Sequence, residues 1–471
     1  MSKTCCGPFT VALVAYLIAP TSAWAAFPVE TLEGLRPGRP FPQVHLGLRF
    51  DQDYQQATIN REFISDAGTP EASAGDVREL DYESVRRRLV VEARAGIYER
   101  LELRLNVPVV LSWDSNIGFA DGTSASSTVF GSSNADDPSI PLRFPLTTVP
   151  AERSRSGLGD LEVGLAFSPV VDAPARWWPT MTIGLMVTLP TGDRWDPADP
   201  KATPEVDGTG GVGLGQTIFD VTLGLSKRTS YVAPSFDPYF IGGVTVPVPT
   251  GDQEDIGLDP PVSARVEVGS EIIFVEDTSR STRYAADIGF SMRYIGDGRT
   301  FSPLSDFLPD FNQTAIDRDT FRYSDFANPG NYSRSEPGVS CVVDSTTGAP
   351  RLEGVPCGEF TRVQDHVELE ARLGFRAQPS RWFMLRAGVG IGVANDHLIT
   401  GERAGTDRDP ASAGEEMCGP TPCLGRINRV NSQGVDERSR FYDPRYDAPG
   451  TRFLATDILN IRFFVTGTAT F

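Results

Sequence analysis

The feature that most constrains this chain is a series of twelve segments in which apolar and polar residues alternate with a period of two. Such a period is typical of β-strands whose two faces meet different environments. Most segments have about the 9 to 11 residues that a tilted strand needs to cross a bilayer. The segments centre on 44–50, 89–95, 101–109, 158–168, 180–190, 217–227, 238–248, 262–274, 283–295, 366–377, 382–394 and 456–471.

The links between these segments alternate in length: taken two at a time from the first, each long link is followed by a shorter one. They span 51–88, 97–100, 113–157, 169–179, 191–216, 228–237, 249–261, 275–282, 296–365, 378–381 and 395–455. Bacterial outer-membrane barrels have an even number of strands, short periplasmic turns and longer extracellular loops. The sequence therefore predicts an all-β fold, a transmembrane antiparallel up-and-down β-barrel of about 12 strands with long extracellular loops.

The start of the chain has the pattern of an export signal. Lys3 precedes an apolar run at 9–19, and the tripeptide Ala-Trp-Ala at 23–25 is a small-x-small cleavage pattern. We therefore predict a signal peptide at 1–25, an N-terminal segment at 26–42 and the barrel at 43–471. For the N-terminal segment a disordered periplasmic tail is the preferred interpretation, and a short plug folded into the lumen is the alternative.

Charge and hydropathy narrow the partners. The chain has 62 acidic against 43 basic residues, which makes nucleic acid an unsuitable partner. After the signal, no stretch offers the roughly 20 consecutive apolar residues of a spanning helix, so a membrane form must be a closed barrel. We expect outer-membrane lipid as the surroundings, in the cell outer membrane of a Gram-negative bacterium. A soluble secreted β-protein stays open as another class.

The last strand, IRFFVTGTATF, alternates apart from Phe464 and ends on Phe471. Ile461, Phe463 and Val465 share one face with this terminal residue. The ending resembles the C-terminal signature of outer-membrane barrel proteins, which implies the barrel-insertion machinery as a partner. The same closure predicts that this strand pairs with the first one.

If the apolar faces meet lipid, the opposite faces line the lumen, because an Arg facing the middle of a bilayer costs about 2 to 4 kcal/mol. The balanced signs predict ion pairs between neighbouring strands. Two interpretations stay open: a cross-linked wall that keeps the barrel in shape, or a constriction that selects solutes by charge and size. The lumen-lining candidates are Glu92, Arg94, Glu102, Arg104, Arg265, Glu267, Asp287, Arg293, Glu368, Glu370, Arg372, Arg386 and Arg462.

Four cysteines follow the signal, in two close pairs within polar loops. In an exported chain two disulfides are the expected state, with zinc as a weak rival at the second pair, and we predict no metal or other cofactor. Acidic loops such as NADDP are interpreted as solvated, and the sequence leaves Ca²⁺ binding open. The disulfide candidates are Cys341, Cys357, Cys418 and Cys423.

Catalysis has little support in the residue pattern. The only histidines are His45, His366 and His397, and none lies in a nucleophile or metal motif. His45 is followed by Leu46 and Gly47, so the His-x-Ser arrangement of the outer-membrane phospholipase is missing. We predict a protein that is not an enzyme.

Three stretches carry a resemblance to a known family: GLGDLEVGLAF at 157–167, MTIGLMVTLPTGD at 181–193 and GLGQTIFDVTLGLSKR at 213–228. Together they resemble the outer-membrane transporter-like family of the MetA pathway of phenol degradation, over about residues 155–295. The resemblance implies a barrel that acts as a channel or passive transporter for small organic compounds, aromatic or apolar ones among them. The alternative is a structural or surface-interaction barrel with a sealed lumen.

Overall fold

A computed structural model gives the fold. It describes residues 25–32, 34, 42–65, 73–123, 151–172, 177–195, 210–230, 232–250, 258–277, 281–306, 360–401, 417–418, 421–422 and 452–471. Within these ranges no helix has the length and apolar character needed to cross a membrane.

Twelve long strands form one closed antiparallel sheet in which each strand pairs with the next along the chain. In chain order they are β1 (Val44–Ser65), β2 (Ser73–Tyr98), β3 (Leu101–Phe119), β4 (Leu161–Val170), β5 (Thr180–Leu189), β6 (Gln216–Ser226), β7 (Ser235–Pro249), β8 (Ser263–Asp277), β9 (Thr282–Ile295), β10 (His366–Ser380), β11 (Phe383–Ala394) and β12 (Phe453–Thr470). The predicted up-and-down barrel of twelve strands is confirmed.

The barrel closes between β1 and β12. Their register runs from His45 opposite Thr470 to Arg61 opposite Phe453. At the very end of the chain, the Phe471 amide donates to the Val44 carbonyl at 2.8 Å, and the Val44 amide donates back at 3.2 Å. The last strand is thus held on both edges, by β1 and by β11. We call this end of the barrel, where the short links also lie, the turn end, and the opposite end the loop end.

The outer face of the barrel is a band of exposed apolar side chains. The band includes Leu103, which is 40% exposed, and Phe290, which is 60% exposed. Exposed large apolar side chains on every strand of a closed sheet indicate that its outer surface contacts an apolar environment. Further members are Leu46, Val91, Leu165, Ile183, Val221, Leu373, Ile391 and Phe463.

Toward the loop end the two faces of the strands exchange character. In β1 the inward residue Asp51 is buried among charges, whereas Ala57 and Ile59, inward positions further along the same strand, are apolar and at most 2% exposed. They belong to an apolar core at the loop end, the arrangement of a barrel surrounded by water. The core consists of Ala57, Ile59, Leu80, Tyr82, Ile117, Leu304, Ile399, Phe453, Ala455 and Ile458.

This exchange explains where the predicted boundaries were wrong. The links predicted at 51–88 and 113–157 are in large part strand: β1 continues to Ser65, β2 begins at Ser73, and β3 continues to Phe119. A further strand, Ala151–Leu158, continues the pairing of β3 beyond β4. Backbone pairing persists above the apolar band, although the outward apolar alternation has ended there.

Short strands complete the loop end. Gly298–Thr300, Thr361–Val363 and His397–Thr400 form a small extension of the sheet that joins β12. A separate pair, Met417–Cys418 with Thr421–Pro422, lies in the last long link.

The PTGD turn after β5 is fixed by the aspartate that precedes β4. The Asp160 carboxylate accepts hydrogen bonds from the amides of Gly192 at 3.0 Å and Leu214 at 2.7 Å. The Thr191 hydroxyl accepts from the Leu161 amide at 2.9 Å. These bonds give the motif an architectural role, because they tie three strands together at the loop end.

Candidate functional site

The interior of the barrel carries the charged residues predicted to line it. All thirteen lie on described strands, and Arg386 places its guanidinium carbon 3.6 Å from the centre of the Phe27 ring. The other twelve form ion pairs inside the barrel: Arg49–Glu92, Arg94–Glu102, Arg104–Glu102, Arg265–Asp220, Arg293–Glu368, Arg372–Glu267, Arg372–Asp287 and Arg462–Glu370. That these residues contact a solute stays a prediction.

Residues 25–32 and 34, which we call the amino-terminal segment, lie among the inward side chains of the turn-end half. Ala25 and Ala26 are fully buried, and Val29 and Leu32 are no more than 2% exposed. Gly34 donates its amide to the Glu99 carbonyl at 2.7 Å, at the turn between β2 and β3. The described residues of this segment thus lie inside the lumen, and both the plug and the tail at 26–42 stay predictions.

The segment is bonded to strands on all sides of the lumen, and both its amides and its carbonyls take part. A single 3-10 turn, Phe27–Val29, pairs the Val29 amide with the Ala26 carbonyl at 2.9 Å, and barrel side chains satisfy further backbone groups. The bonds are Ala26 N to Ser226 Oγ at 3.0 Å, Phe27 N to Glu271 Oε2 at 3.2 Å, Leu32 N to Glu102 Oε2 at 2.7 Å, Thr182 Oγ1 to the Val29 carbonyl at 2.7 Å, and Arg94 Nη2 to the Glu30 carbonyl at 3.0 Å.

Arginines of the barrel wall surround two side chains of the segment. Besides Arg386, Arg376 lies 5.3 Å and Arg94 5.8 Å from the Phe27 ring centre. Arg376 also pairs with the Glu30 carboxylate at 3.3 Å. Burial opposes ionisation of that carboxyl, but the neighbouring guanidiniums, that of Arg376 first, outweigh it and hold the pKa of Glu30 below its ordinary value.

The middle of the barrel encloses a cavity of about 880 Å³, which we call the inner chamber. Its walls carry both signs of charge, including Arg49, Asp53, Arg265, Glu370 and Arg462. The side chains of Arg265 and Arg462 are 44% and 50% exposed, so they keep access to water although they lie inside the barrel. Partly exposed charged side chains can release an ion-pair partner and bind a charged solute in its place.

A second cavity of about 320 Å³, the mouth chamber, follows toward the loop end. Several wall residues are common to both chambers, among them Gln55, Thr245 and Arg293, so the two adjoin. The mouth chamber has a more apolar wall, with Phe301 and Ile458 among its members. A path through both chambers thus passes from apolar to charged surroundings.

Two histidines stack beside the mouth chamber. The rings of His366 and His397 are 4.0 Å apart at an angle of 15°. Each Nδ1 lies at hydrogen-bond distance from a carbonyl oxygen, that of Gln364 at 2.9 Å and that of Asn395 at 3.0 Å respectively. Burial, with the charge of His366 as a smaller cause, lowers the pKa of His397 to about 4.

Sequence reasoning missed several charged residues of the inner chamber. Asp53, Arg86 and Arg88 fall in a predicted loop, yet Asp53 binds Arg86 at 3.0 Å and Arg462 at 2.8 Å inside the barrel. A signal is present in the sequence, because these residues continue the inward parity of Arg49 and Glu92. The amino-terminal segment has no such signal, since its partners are up to 346 residues away.

The predicted disulfides fall outside the described part of the chain. Cys341, Cys357 and Cys423 are not among the described residues, and for Cys418 only the backbone is described. Among the described residues no group of three or more His, Cys, Asp or Glu side chains could hold a metal ion. Both disulfides therefore stay predictions.

No family model matches the sequence, and no curated protein matches it. Among solved structures, an outer membrane channel from Pseudomonas putida F1 is similar with a TM-score of 0.38 and 10% identity over 93% of this chain and 97% of that one. A FadL homologue from Pseudomonas aeruginosa gives 0.29 and 8% over 91% and 90%. The outer membrane protease of Escherichia coli gives 0.29 and 4% over 91% and 97%. Likeness at this level assigns neither a family nor an activity to the chain.

Proposed function

We propose that this protein is an outer-membrane channel for small organic solutes. The observation that carries the proposal is the inner chamber, a cavity of about 880 Å³ with water-accessible charged walls inside a closed barrel. A barrel that served only as a rigid wall would have no need to keep this space open. The resemblance to the MetA-pathway transporter-like family supports the same function.

The outer face supports a location in the outer membrane. A barrel with an apolar outer band and charged interior is stable in lipid, whereas in water the same band would promote aggregation. The band ends where the strand faces exchange character, which supports the loop end as the extracellular side and the turn end as the periplasmic side. Export by a signal peptide at 1–25 and insertion through β12 belong to the same proposal.

The two chambers suggest the chemical class of the solute. The mouth chamber offers apolar surface such as Phe301, and the inner chamber offers Arg265, Arg293 and Arg462. A small aromatic compound with an ionised group, a carboxylate in particular, would find both kinds of partner along one path. A purely apolar solute would displace water from the charged side chains of the inner chamber without replacing their hydrogen bonds.

The amino-terminal segment acts as a plug in this proposal. Its bonds to strands around the turn-end half support closure of the route from the inner chamber to the periplasm while the segment is bound. Passage then requires the segment to move. We assign no catalytic or cofactor role to the barrel.

The alternative, a structural or surface-interaction barrel with a sealed lumen, has one observation in its favour. The ion pairs of the turn-end half bind the segment firmly, as a permanent seal would. A liposome swelling assay distinguishes the two, with benzoate, benzyl alcohol and glucose as test solutes. A channel should admit benzoate fastest, and Arg462→Gln should lower that rate, while the exposed Arg78→Gln serves as the matched control.

The assay also defines failure. If the folded barrel admits none of the three solutes, with the amino-terminal segment present or deleted, the channel proposal is wrong and the sealed barrel is favoured. Uptake of glucose and benzyl alcohol at the rate of benzoate would retain the channel but reject the proposed solute class.

A further inference from the structure

A buried carboxylate in the turn-end half has one oxygen without a partner among the described residues. Asp237 of β7 is fully buried, and its Oδ1 accepts a hydrogen bond from the Ser226 hydroxyl. No hydrogen bond from the described part of the chain reaches its Oδ2. An ionised oxygen removed from water is costly unless a cation or donors compensate it.

The neighbouring charges are already engaged. The Glu271 carboxylate, opposite Asp237 on β8, pairs with Arg283 at 2.9 Å and with Arg376 at 3.6 Å. Arg228 donates to Ser235 and to Glu276. The acidic site therefore suits one more positive group close to Ser226.

The backbone nitrogen of Ala26 occupies that place. It donates to Ser226 Oγ at 3.0 Å, the same hydroxyl that binds Asp237. As an amide, this nitrogen has one hydrogen, which Ser226 uses. If the predicted cleavage after Ala25 takes place, water adds across the Ala25–Ala26 peptide bond and leaves a carboxylate on the leader. The new amino group of Ala26 becomes an ammonium with three hydrogens and a positive charge.

We infer that Asp237 and Ser226 form a binding site for the newly created α-ammonium of Ala26, so that removal of the leader locks the amino-terminal segment into the lumen. The uncleaved chain offers the site only a neutral amide. A barrel that still carries its leader thus holds the segment more weakly, and processing couples export to closure of the turn end. The inference rests on cleavage after Ala25 and is independent of which solute the barrel admits.

Amine labelling of the exported, processed protein tests the inference directly. Beyond residue 25 the chain has only two lysines, Lys201 and Lys227, so the α-amine can be followed by peptide mass spectrometry against few competitors. Intact mass should first place the mature start at Ala26. In the folded barrel the α-amine should react with an acylating reagent at least about tenfold more slowly than in the denatured chain, because hydrogen bonds to charged groups resist opening.

Asp237→Asn should raise the labelling rate of the α-amine about tenfold, since it removes the charge and keeps the shape. Asp220→Asn is the matched control on the adjacent strand β6; Asp220 binds Thr245 and Arg265 in the inner chamber, and its substitution should leave the labelling rate of the α-amine unchanged. If Asp237→Asn does not fold, Ser226→Ala provides the second variant, with the same expected direction. A mature start other than Ala26, or an α-amine that labels equally fast in the folded wild type and in the denatured chain, would overturn the inference. Neither outcome depends on channel activity.

Discussion

The two halves of the lumen contain the same kinds of residue in different states. In the turn-end half, Glu102 is fully buried and binds Arg94 at 2.7 Å and Arg104 at 2.6 Å. In the loop-end half, Arg293 and Arg462 are about half exposed, and their pairs with Glu368 and Glu370 measure 3.9 Å, although Arg462 also binds Asp53 at 2.8 Å. The same strands form both halves, and in both halves the charged residues occupy the inward-facing positions.

What differs is the presence of the amino-terminal segment. By filling the turn-end half it removes water from the charges there and gives them fixed partners, since Leu32 and Glu30 bond to the same network. The inner chamber has no such occupant among the described residues and keeps its charges hydrated. Buried pairs are costly to break, whereas exposed pairs contribute little. The comparison therefore predicts large effects of mutation in one half and small effects in the other.

The largest effect should come from Glu102→Gln. It removes the fully buried carboxylate that two guanidiniums, those of Arg94 and Arg104, share, and we expect the free energy of unfolding to fall by about 3 kcal/mol. Urea unfolding of the barrel in lipid vesicles measures it. Glu162→Gln in the inner chamber, where the carboxylate accepts from Asn106, is the matched control and should cost about 1 kcal/mol. Equal losses would show that the two halves do not differ.

The dependence on pH should separate the two ends of the barrel. The pKa of His397 is about 4 in the folded strand, against an ordinary 6.5 when the strand has unfolded locally. As the pH falls, the locally unfolded state therefore binds a proton before the folded state does. Protection of the His397–Thr400 strand should be full above pH 6.5 and should weaken by roughly 1 to 3 kcal/mol between pH 6.5 and 4. For Glu30 the sign is the same but the cause differs: nearby guanidiniums favour its charged form, so its lowered pKa stabilises the segment above pH 4.5, and that stability is lost as the pH falls below 4.5.

Hydrogen exchange by mass spectrometry, corrected for intrinsic rates, follows both regions in one sample. At about pH 5.5 the His397–Thr400 strand should have lost protection while the amino-terminal segment retains it. His397→Gln should abolish the loss. Protection that stays constant at both regions from about pH 7 to pH 4.5 would contradict the assignment of the histidine.

Phe27→Leu should have an intermediate effect. The change keeps apolar volume but removes the aromatic face that meets three arginines, each such contact contributing about 0.5 to 2 kcal/mol. We expect the segment to become about tenfold more accessible to protease, with the barrel itself unaffected. Val29→Ala, which removes apolar contact elsewhere in the segment, serves as the comparison. An unchanged cleavage rate in Phe27→Leu would mean that the arginines hold the segment through Glu30 alone.

The smallest effect on stability, but a clear one on function, should come from Arg293→Gln. Its ion pair is half exposed and long, so the free energy of unfolding should change by less than about 1 kcal/mol. The loss of a positive charge from the junction of the chambers should shift ion selectivity toward cations. The reversal potential across a salt gradient measures this shift, and an unshifted potential would remove Arg293 from the solute path.

The amino-acid pattern alone is sufficient for the barrel and for most of its lining. Alternation locates all twelve strands, and inward parity by itself identifies residues such as Glu102 and Arg372 as interior. The pattern fails above the apolar band, because Ala57 and Ile59 bring apolar residues to the inward face and the stretch no longer looks like a membrane strand.

The occupant of the lumen could not be predicted in the same way. Residues 26–34 have no strand or helix period, and their partners, such as Ser226 and Arg376, are distant in sequence. Their position depends on the closed barrel, which brings those partners to one place. Local pattern carries no information about such contacts.

The most direct test of this account is single-channel conductance in planar bilayers, with the processed protein compared with a variant that lacks residues 26–42. If the segment closes the turn-end half, the intact barrel should be closed for most of the recording, with brief openings, and the variant should show stable ohmic steps. Equal, stable conductance in both would contradict the account, because the turn-end half would then be open with the segment in place.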